Sequence, residues 1–500
     1  MKKTKRIALL RRLCLIPALV TTAHGANGPK IKSVLVISID GMHSQDLAKW
    51  VQAHPSSTLA QLSATSVNYT NAFTTKPSDS IPSTVGIFTG GSPAIGGMYY
   101  DDAFNRSWFA PTNLACTGAP GAVIDLKQGI NAAPIDGSGG VDPAKMPRQL
   151  VNGVCSPVLP HDMMRLNTVF EVVKAAGLRT AYSEKRPSYD ILNGPSGTGV
   201  QDLYTPEIAC FPFTPPTGCN NALLSPTTTE TFDQLRVNSI LNEINNLNSA
   251  GTAHAPVPAL FGMNFQAVNS AKKASTTSGY ADTAGNPDAL LLDALTYVDT
   301  AIGSMVFAMR EQGLLNNTAI VITAKHGEAP VGNVRTVVPT TVITSILKAA
   351  LISTNKVTQK TSALIWLSDQ TQTAAAVAAL NASSTLAPNL SAVLSFGSGL
   401  PFPNPLSDAA PPDIVVVMKD GVNFEPSPIT VFAEHGGFGE NETHVPLMVS
   451  NPKWTGLTQG ATVSTTQIAP TVLSLLGLSP QDLLAVQIEG TQPLSDVLVQ

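Results

Sequence analysis

The 500-residue sequence predicts an α/β fold, with a central, mostly parallel sheet and helices on both faces. Three observations carry that expectation. Residues 34–39, 259–265 and 319–323 are short, almost wholly apolar runs, as expected of strands buried on both faces. Longer stretches between them repeat apolar residues at helical spacing, most clearly Leu292, Leu295, Val298, Ile302 and Val306 ahead of Gly313. Reactive residue types cluster where the strand-like runs end, which is where open α/β sheets build their sites.

The first run, 34–39, ends in Asp40-Gly41-Met42. Ser80–Thr89 reads as a helix, with Pro82 in its first turn and Gly90-Gly91 closing it. Residues 98–165 are rich in Pro, Gly and Asn and read as a loop insertion over the active face. A helix at 168–176 leads to a strand at 180–182, and a helix at 231–247 leads to the strand 259–265. Ala289–Glu311 reads as a long helix before the strand 319–323, which runs into Ala324-Lys325-His326-Gly327. Residues 338–411 hold helix-like 342–351 and 373–380 with strand-like 363–367, and read as a cap-like insertion. Strands at 413–418 and 445–449 and a helix at 466–476 complete the chain.

The first 12 residues include Lys2, Lys3, Lys5, Arg6, Arg11 and Arg12, followed by apolar residues 13–20 and then Ala23-His24-Gly25. This is the pattern of a signal peptide over residues 1–25, leaving 26–500 as one catalytic domain, secreted or periplasmic. The apolar run is shorter than the roughly 20 residues a bilayer span requires. No later segment is expected to span a membrane. Beyond Cys14, four cysteines remain, an even number that suits an exported, disulfide-bonded chain. The local pairs Cys116–Cys155 and Cys210–Cys219 are preferred. With 30 basic and 34 acidic residues there is no basic field for nucleic acid. The sequence leaves the oligomeric state open.

A buried strand ending in Asp40, followed by Ser80-Ile81-Pro82 at a helix start, can place a metal ligand beside a hydroxyl nucleophile. Lys325-His326-Gly327, Glu434-His435-Gly436 and Gln467-Ile468-Ala469-Pro470-Thr471 follow in order. Together these segments resemble the type I phosphodiesterase/nucleotide pyrophosphatase family of the alkaline phosphatase superfamily. The resemblance implies hydrolysis of a phosphodiester or phosphomonoester, with a small phosphate ester as substrate and Ser80 as covalent nucleophile. It implies Asp40, His326 and His435 as ligands of a divalent metal, zinc in this family.

The chain departs from the family pattern at several positions. Lys325 stands where the family has Asp, and reads as a catalytic cation that offsets phosphoryl charge. Gln266 and Ser270 stand where the family has an Asp and a His; Asp282 offers a second register for the missing ligand. Metal content is therefore open, at two ions, one or none. Asp101, in place of a family Asn, and Arg106 are candidate substrate contacts, and residues 183–189 are a second candidate wall. Two other readings stay open. One is an inactive superfamily member that binds an anion. The other is a sulfatase-like enzyme, because Ser80-Ile81-Pro82-Ser83 fits a Ser-x-Pro-Ser pattern although Thr84 replaces its Arg. Ser80 could also be an ordinary helix cap.

Overall fold

Strand β1 (Ser33–Ile39) is buried along its whole length, and the rest of the domain is arranged around it. The computed structural model describes residues 31–127, 140–211 and 225–500. The expected signal peptide and, because of Cys219, the expected Cys210–Cys219 bridge lie outside the described residues.

Among the described residues, seven further strands join β1 in the central sheet. They are β2 (Ser66–Tyr69), β3 (Ala181–Ser183), β4 (Asp202–Tyr204), β5 (Leu260–Phe265), β6 (Thr318–Thr323), β7 (Leu447–Ser450) and β8 (Leu457–Gln459). Their order is β8-β2-β7-β6-β1-β5-β3-β4. Val34 of β1 faces Leu260 on one side and Ala319 on the other, both in parallel register. β3 and β4 continue the parallel run, while β7 is antiparallel to both β6 and β2. The expected mostly parallel sheet is therefore present.

Successive β1 side chains point to opposite faces, as strand geometry requires. Val34 and Val36 join the cluster covered by α1 (Ser80–Thr89) and, at the other end of the chain, Ile468–Leu475. Leu35, Ile37 and Ile39 join the opposite cluster, covered by α2 (Pro226–Ile244), α3 (Ala267–Ala274) and α4 (Ala289–Glu311). By length and composition α4 could cross a membrane, which corrects the expectation that no segment beyond the leader could. In the fold, its Leu291, Leu295, Val298, Ile302, Met305 and Met309 are packed into this core.

A second unit is inserted between β6 and β7. Its four-stranded antiparallel sheet runs in the order Thr354–Gln359, Ser362–Leu367, Ile414–Met418, Leu390–Ser395. Helices Val342–Ala349 and Thr373–Ala382 pack on it, around Ile343, Leu347, Ile365, Leu380 and Val416. The unit extends past residue 411, because Ile414–Met418 is one of its middle strands. An apolar run alone does not say which of two sheets it joins. The turn between Gln359 and Ser362 points Lys360 back toward the central sheet. The 98–165 segment contains two hairpins, Asp102–Asn105 with Ala122–Asp125 and Arg148–Val151 with Val154–Pro157. The Cys116–Cys155 disulfide ties them together, with a Cα separation of 5.5 Å.

Ile37 is fully buried in the core formed with α2, α3 and α4. Ile37→Ala should destabilise the protein by about 2–5 kcal/mol, read as a lower urea midpoint at unchanged slope.

Candidate active site

β3, β5, β1 and β6 are adjacent and parallel, so their carboxyl ends open at one place. Glu184 and Lys185 follow β3, Gln266 follows β5, Asp40 follows β1, and Lys325 lies two residues beyond β6. α1 delivers Ser80 to the same place. The helix cap is Asp79, whose Oδ1 accepts the Ile81 N–H at 3.3 Å. Ser80 is therefore the first helical residue, and its hydroxyl is not needed as a cap. All ten residues of α1 are buried, which fixes the position of Ser80. The helix N-terminus adds a partial positive charge at this point.

Ser80 Oγ lies 3.0 Å from His326 Nε2. The other ring nitrogen, Nδ1, is 2.9 Å from the Gly327 carbonyl oxygen, which can only accept. Nδ1 therefore carries the hydrogen, and the Ser80 hydroxyl donates to Nε2. Burial drives His326 down to about 3, with Asp40 opposing and Lys185 adding to the shift. The imidazole is neutral and free to receive the serine proton.

Around this pair the charges are paired and buried. Lys185 Nζ lies 2.6 Å from Asp40 Oδ2, 2.9 Å from Gln266 Oε1 and 3.4 Å from Ser80 Oγ. Lys325 Nζ lies 2.7 Å from Glu184 Oε1, 2.8 Å from the Tyr189 hydroxyl and 3.2 Å from Asp40 Oδ2. Burial pushes the Asp40 carboxyl up, but the two ammonium groups overcome it and hold the pKa far below the usual range. Burial brings Lys185 down to about 8, against the pull of Asp40.

Ser80 opens into a cavity of about 250 Å³. Lys127, Lys185, Arg186, Lys273 and Lys360 contribute cations to its wall, while Asp101 and Glu434 contribute carboxylates. Glu434 is paired with Lys273 at 2.8 Å. Asp101 is flanked by Lys127 at 3.4 Å and Lys360 at 3.8 Å, and Lys360 also reaches Asp79 at 3.3 Å. The wall therefore suits an anion.

His435 also lines the cavity, and its ring is stacked on that of His326, with centroids 3.5 Å apart and planes 10° apart. His435 Nδ1 lies 2.7 Å from Glu328 Oε1, and burial pushes Glu328 up to about 8. His326, Glu328 and His435 each offer a ligand atom, all within 4.8 Å of one another. By donor type and spacing this buried trio could hold a metal ion.

A model of the type I phosphodiesterase/nucleotide pyrophosphatase family matches residues 34–437. The chain belongs to that family. Its members are phosphoric ester hydrolases. No curated protein sequence matches the chain. Solved structures give the same fold at low identity. Murine ectonucleotide pyrophosphatase/phosphodiesterase 5 has 16% identity and a TM-score of 0.55, covering 90% of this chain and 96% of that one. Wild-type alkaline phosphatase PafA has 13% identity and a TM-score of 0.61, covering 95% and 100%.

The two-ion arrangement implied by this phosphodiesterase family does not fit the residues present. Two ammonium groups stand 2.6 and 3.2 Å from Asp40 Oδ2, beside the carboxylate that would hold the first ion. Neutral Gln266 and Ser270 hold the positions of an anionic and an imidazole ligand, and Ser270 Oγ is engaged with Thr229 at 2.9 Å. Asp282 supplies no replacement: it accepts from Asn286 within its own turn and does not line the cavity. At the His-Glu-His trio, imidazole lone pairs lie in the ring planes. Two stacked rings aim along parallel planes, and a ring would have to turn for both to reach one ion at about 2 Å.

The structure brings Asp40, Ser80, Lys325, His326 and His435 together, as the sequence suggested, and places Asp101 at the cavity wall. Two of the expected residues lie off the cavity wall. Arg106 does not line the cavity; it pairs with Asp413 at 2.5 Å and with the Pro411 carbonyl at 2.9 Å, binding the hairpin to the inserted unit. Lys325 does not line the cavity, and its ammonium is engaged with Glu184, Tyr189 and Asp40. Sequence reading missed Asp79, Lys127, Lys273, Glu328 and Lys360. Lys185 and Arg186 lay within the 183–189 segment, after a strand end, and that position was the available signal.

Two predictions follow from these supports. Arg106→Ala should lower stability by about 3 kcal/mol by leaving Asp413 without its cation, with KM for a phosphate ester unchanged. Glu442 accepts from the Gly437 N–H at 3.1 Å and from the Thr361 hydroxyl, fixing the loop behind His435. Burial pushes its carboxyl from 4.5 up to about 7. The native state then holds a proton that the unfolded chain releases near 4.5. This contribution to stability is full below that pH and is lost as pH rises through about 7. Glu442→Gln should flatten the loss of melting temperature between pH 4.5 and 7.

Proposed function

We propose that the protein is an exported hydrolase of small phosphate esters that works through a phosphoseryl intermediate on Ser80. The observation that carries this reading is the Ser80–His326 hydrogen bond, polarised toward Nε2, with Ser80 in the wall of a cation-lined cavity. The signal-peptide pattern and the Cys116–Cys155 bridge support export.

In the first step the Ser80 proton moves to His326 Nε2 as Oγ attacks phosphorus. An arriving phosphoryl dianion raises the proton affinity of the buried imidazole. The bond from phosphorus to the ester oxygen breaks, and the departing alkoxide takes a proton from solvent. In the second step water attacks the phosphoserine and releases its proton to solvent. The bond from phosphorus to Oγ breaks, and Ser80 recovers its proton from His326. The cavity's lysines and Arg186 balance the phosphoryl charge. His435, stacked on His326, holds that ring in place. No step depends on a bound metal.

The test is hydrolysis of an aryl phosphomonoester, an aryl phosphodiester and an aryl sulfate, side by side. Ser80→Ala should lower kcat/KM on a phosphate ester at least about 1,000-fold, and His326→Ala about 100- to 10,000-fold. Acid quenching during turnover should trap a phosphoseryl peptide containing Ser80. If Ser80→Ala keeps the wild-type rate, the mechanism is wrong. Preferential cleavage of the sulfate would favour the sulfatase-like reading, and phosphate binding without turnover of any ester would leave an anion-binding protein.

A further inference from the structure

We infer that the Lys185 ammonium takes the place of the family's metal ions at the nucleophile, so that catalysis is metal-independent. The inference rests on the Ser80 hydrolase reading. Its ground is where Nζ sits. The family's first ion would be held by Asp40 and the nucleophile, and its second by the residue at position 266. Lys185 Nζ contacts all three in this chain: Asp40 Oδ2, Ser80 Oγ and Gln266 Oε1. A lysine ammonium has three donors and no acceptor. These three oxygens use all of them, and one nitrogen spans both ligand sets.

The surrounding substitutions agree with one another. A divalent ion is stabilised by anionic ligands, whereas a single ammonium requires fewer. The chain has lost two of those anions, with Lys325 and Gln266 standing at family Asp positions. Asp40 is retained and shared by Lys185 and Lys325. Lys325 is drawn off by Glu184 and Tyr189, which leaves Lys185 as the cation next to Ser80. As the serine oxygen gains charge, the ammonium 3.4 Å away can close on it. Arginine at position 185 would keep the charge but not its compact shape. Two buried acceptors, Asp40 Oδ1 and Glu328 Oε2, have no hydrogen-bond partner among the described residues. An ion bound here would use these atoms, and the experiment is aimed at them.

Full-length protein purified without added metal is assayed by elemental analysis, and its hydrolysis of an aryl phosphate is measured before and after dialysis against EDTA. The expected result is well under one equivalent of any transition metal, with activity unchanged within about two-fold. Lys185→Met should lower kcat at least about 100-fold with a much smaller change in KM, added zinc should not restore it, and Lys185→Arg should retain part of the rate. Because Lys185→Met leaves Asp40 short of a cation, Asp40→Asn/Lys185→Met serves as a charge-matched control for folding, and the wild-type metal measurements need no variant. Stoichiometric metal with chelator-sensitive activity restored by zinc overturns the inference while leaving the Ser80 reading intact. A protein that hydrolyses no ester, or in which Ser80→Ala keeps the full rate, overturns the Ser80 reading and this inference with it.

Discussion

The Asp40 carboxylate is the constraint on which the site depends. It is fully buried, and a buried charge is tolerated only when it is paired. Its two ammonium partners come from the ends of different strands, β3 and β6, on either side of β1 in the sheet order. The three can meet only if β6, β1, β5 and β3 keep their parallel register. Removing one partner would leave uncompensated charge in the interior, a loss of several kcal/mol by comparison with other buried pairs. The sheet and the site are therefore mutually dependent. The apolar faces hold the strands in register, and the charge cluster penalises any slip at their ends.

The same cluster shows how charge can be rearranged within a family fold. Two divalent ions would bring four positive charges to this edge of the sheet. Here single-charge side chains are spread from Lys325 beside Asp40, through Lys185 beside Ser80, to Lys127, Arg186, Lys273 and Lys360 around the wall. Most of these have carboxylate partners, so the resting site is close to electrically balanced. An entering phosphate competes for cations already in place and does not need to recruit them. Fixed charges of this kind need little reorganisation as the reaction proceeds, which is where electrostatic catalysis gains most.

Much of this was legible in the sequence because strand ends are written locally. Apolar runs of strand length, each followed by a reactive residue, located Asp40, Lys325 and His326, and Ser80-Ile81-Pro82 located the helix that carries the hydroxyl. The helix Ala289–Glu311 was read to the residue because its periodicity is long and its cap residues lie beside it. What was not legible depends on contacts between distant segments. Lys360 reads as a surface lysine in a hairpin turn until the inserted sheet folds and aims it at Asp79. Arg106 looked like an anion contact near the nucleophile helix, yet its partner, Asp413, lies 307 residues away. The strand at 414–418 has the composition of a central strand, and only its pairing assigns it to the inserted unit.

Lys360 gives the inserted unit a place in the cavity wall. It is rooted in a hairpin of the inserted sheet, while the carboxylates it faces, Asp79 and Asp101, belong to the main fold. The inserted unit has its own hydrophobic core. Substitution of Lys360 alone would therefore retune the charge and reach of the cavity wall without replacing Asp40, Ser80 or His326. On the proposed mechanism the reacting atoms belong to one scaffold and part of the cavity wall to another, so the wall can change while the reacting groups stay the same.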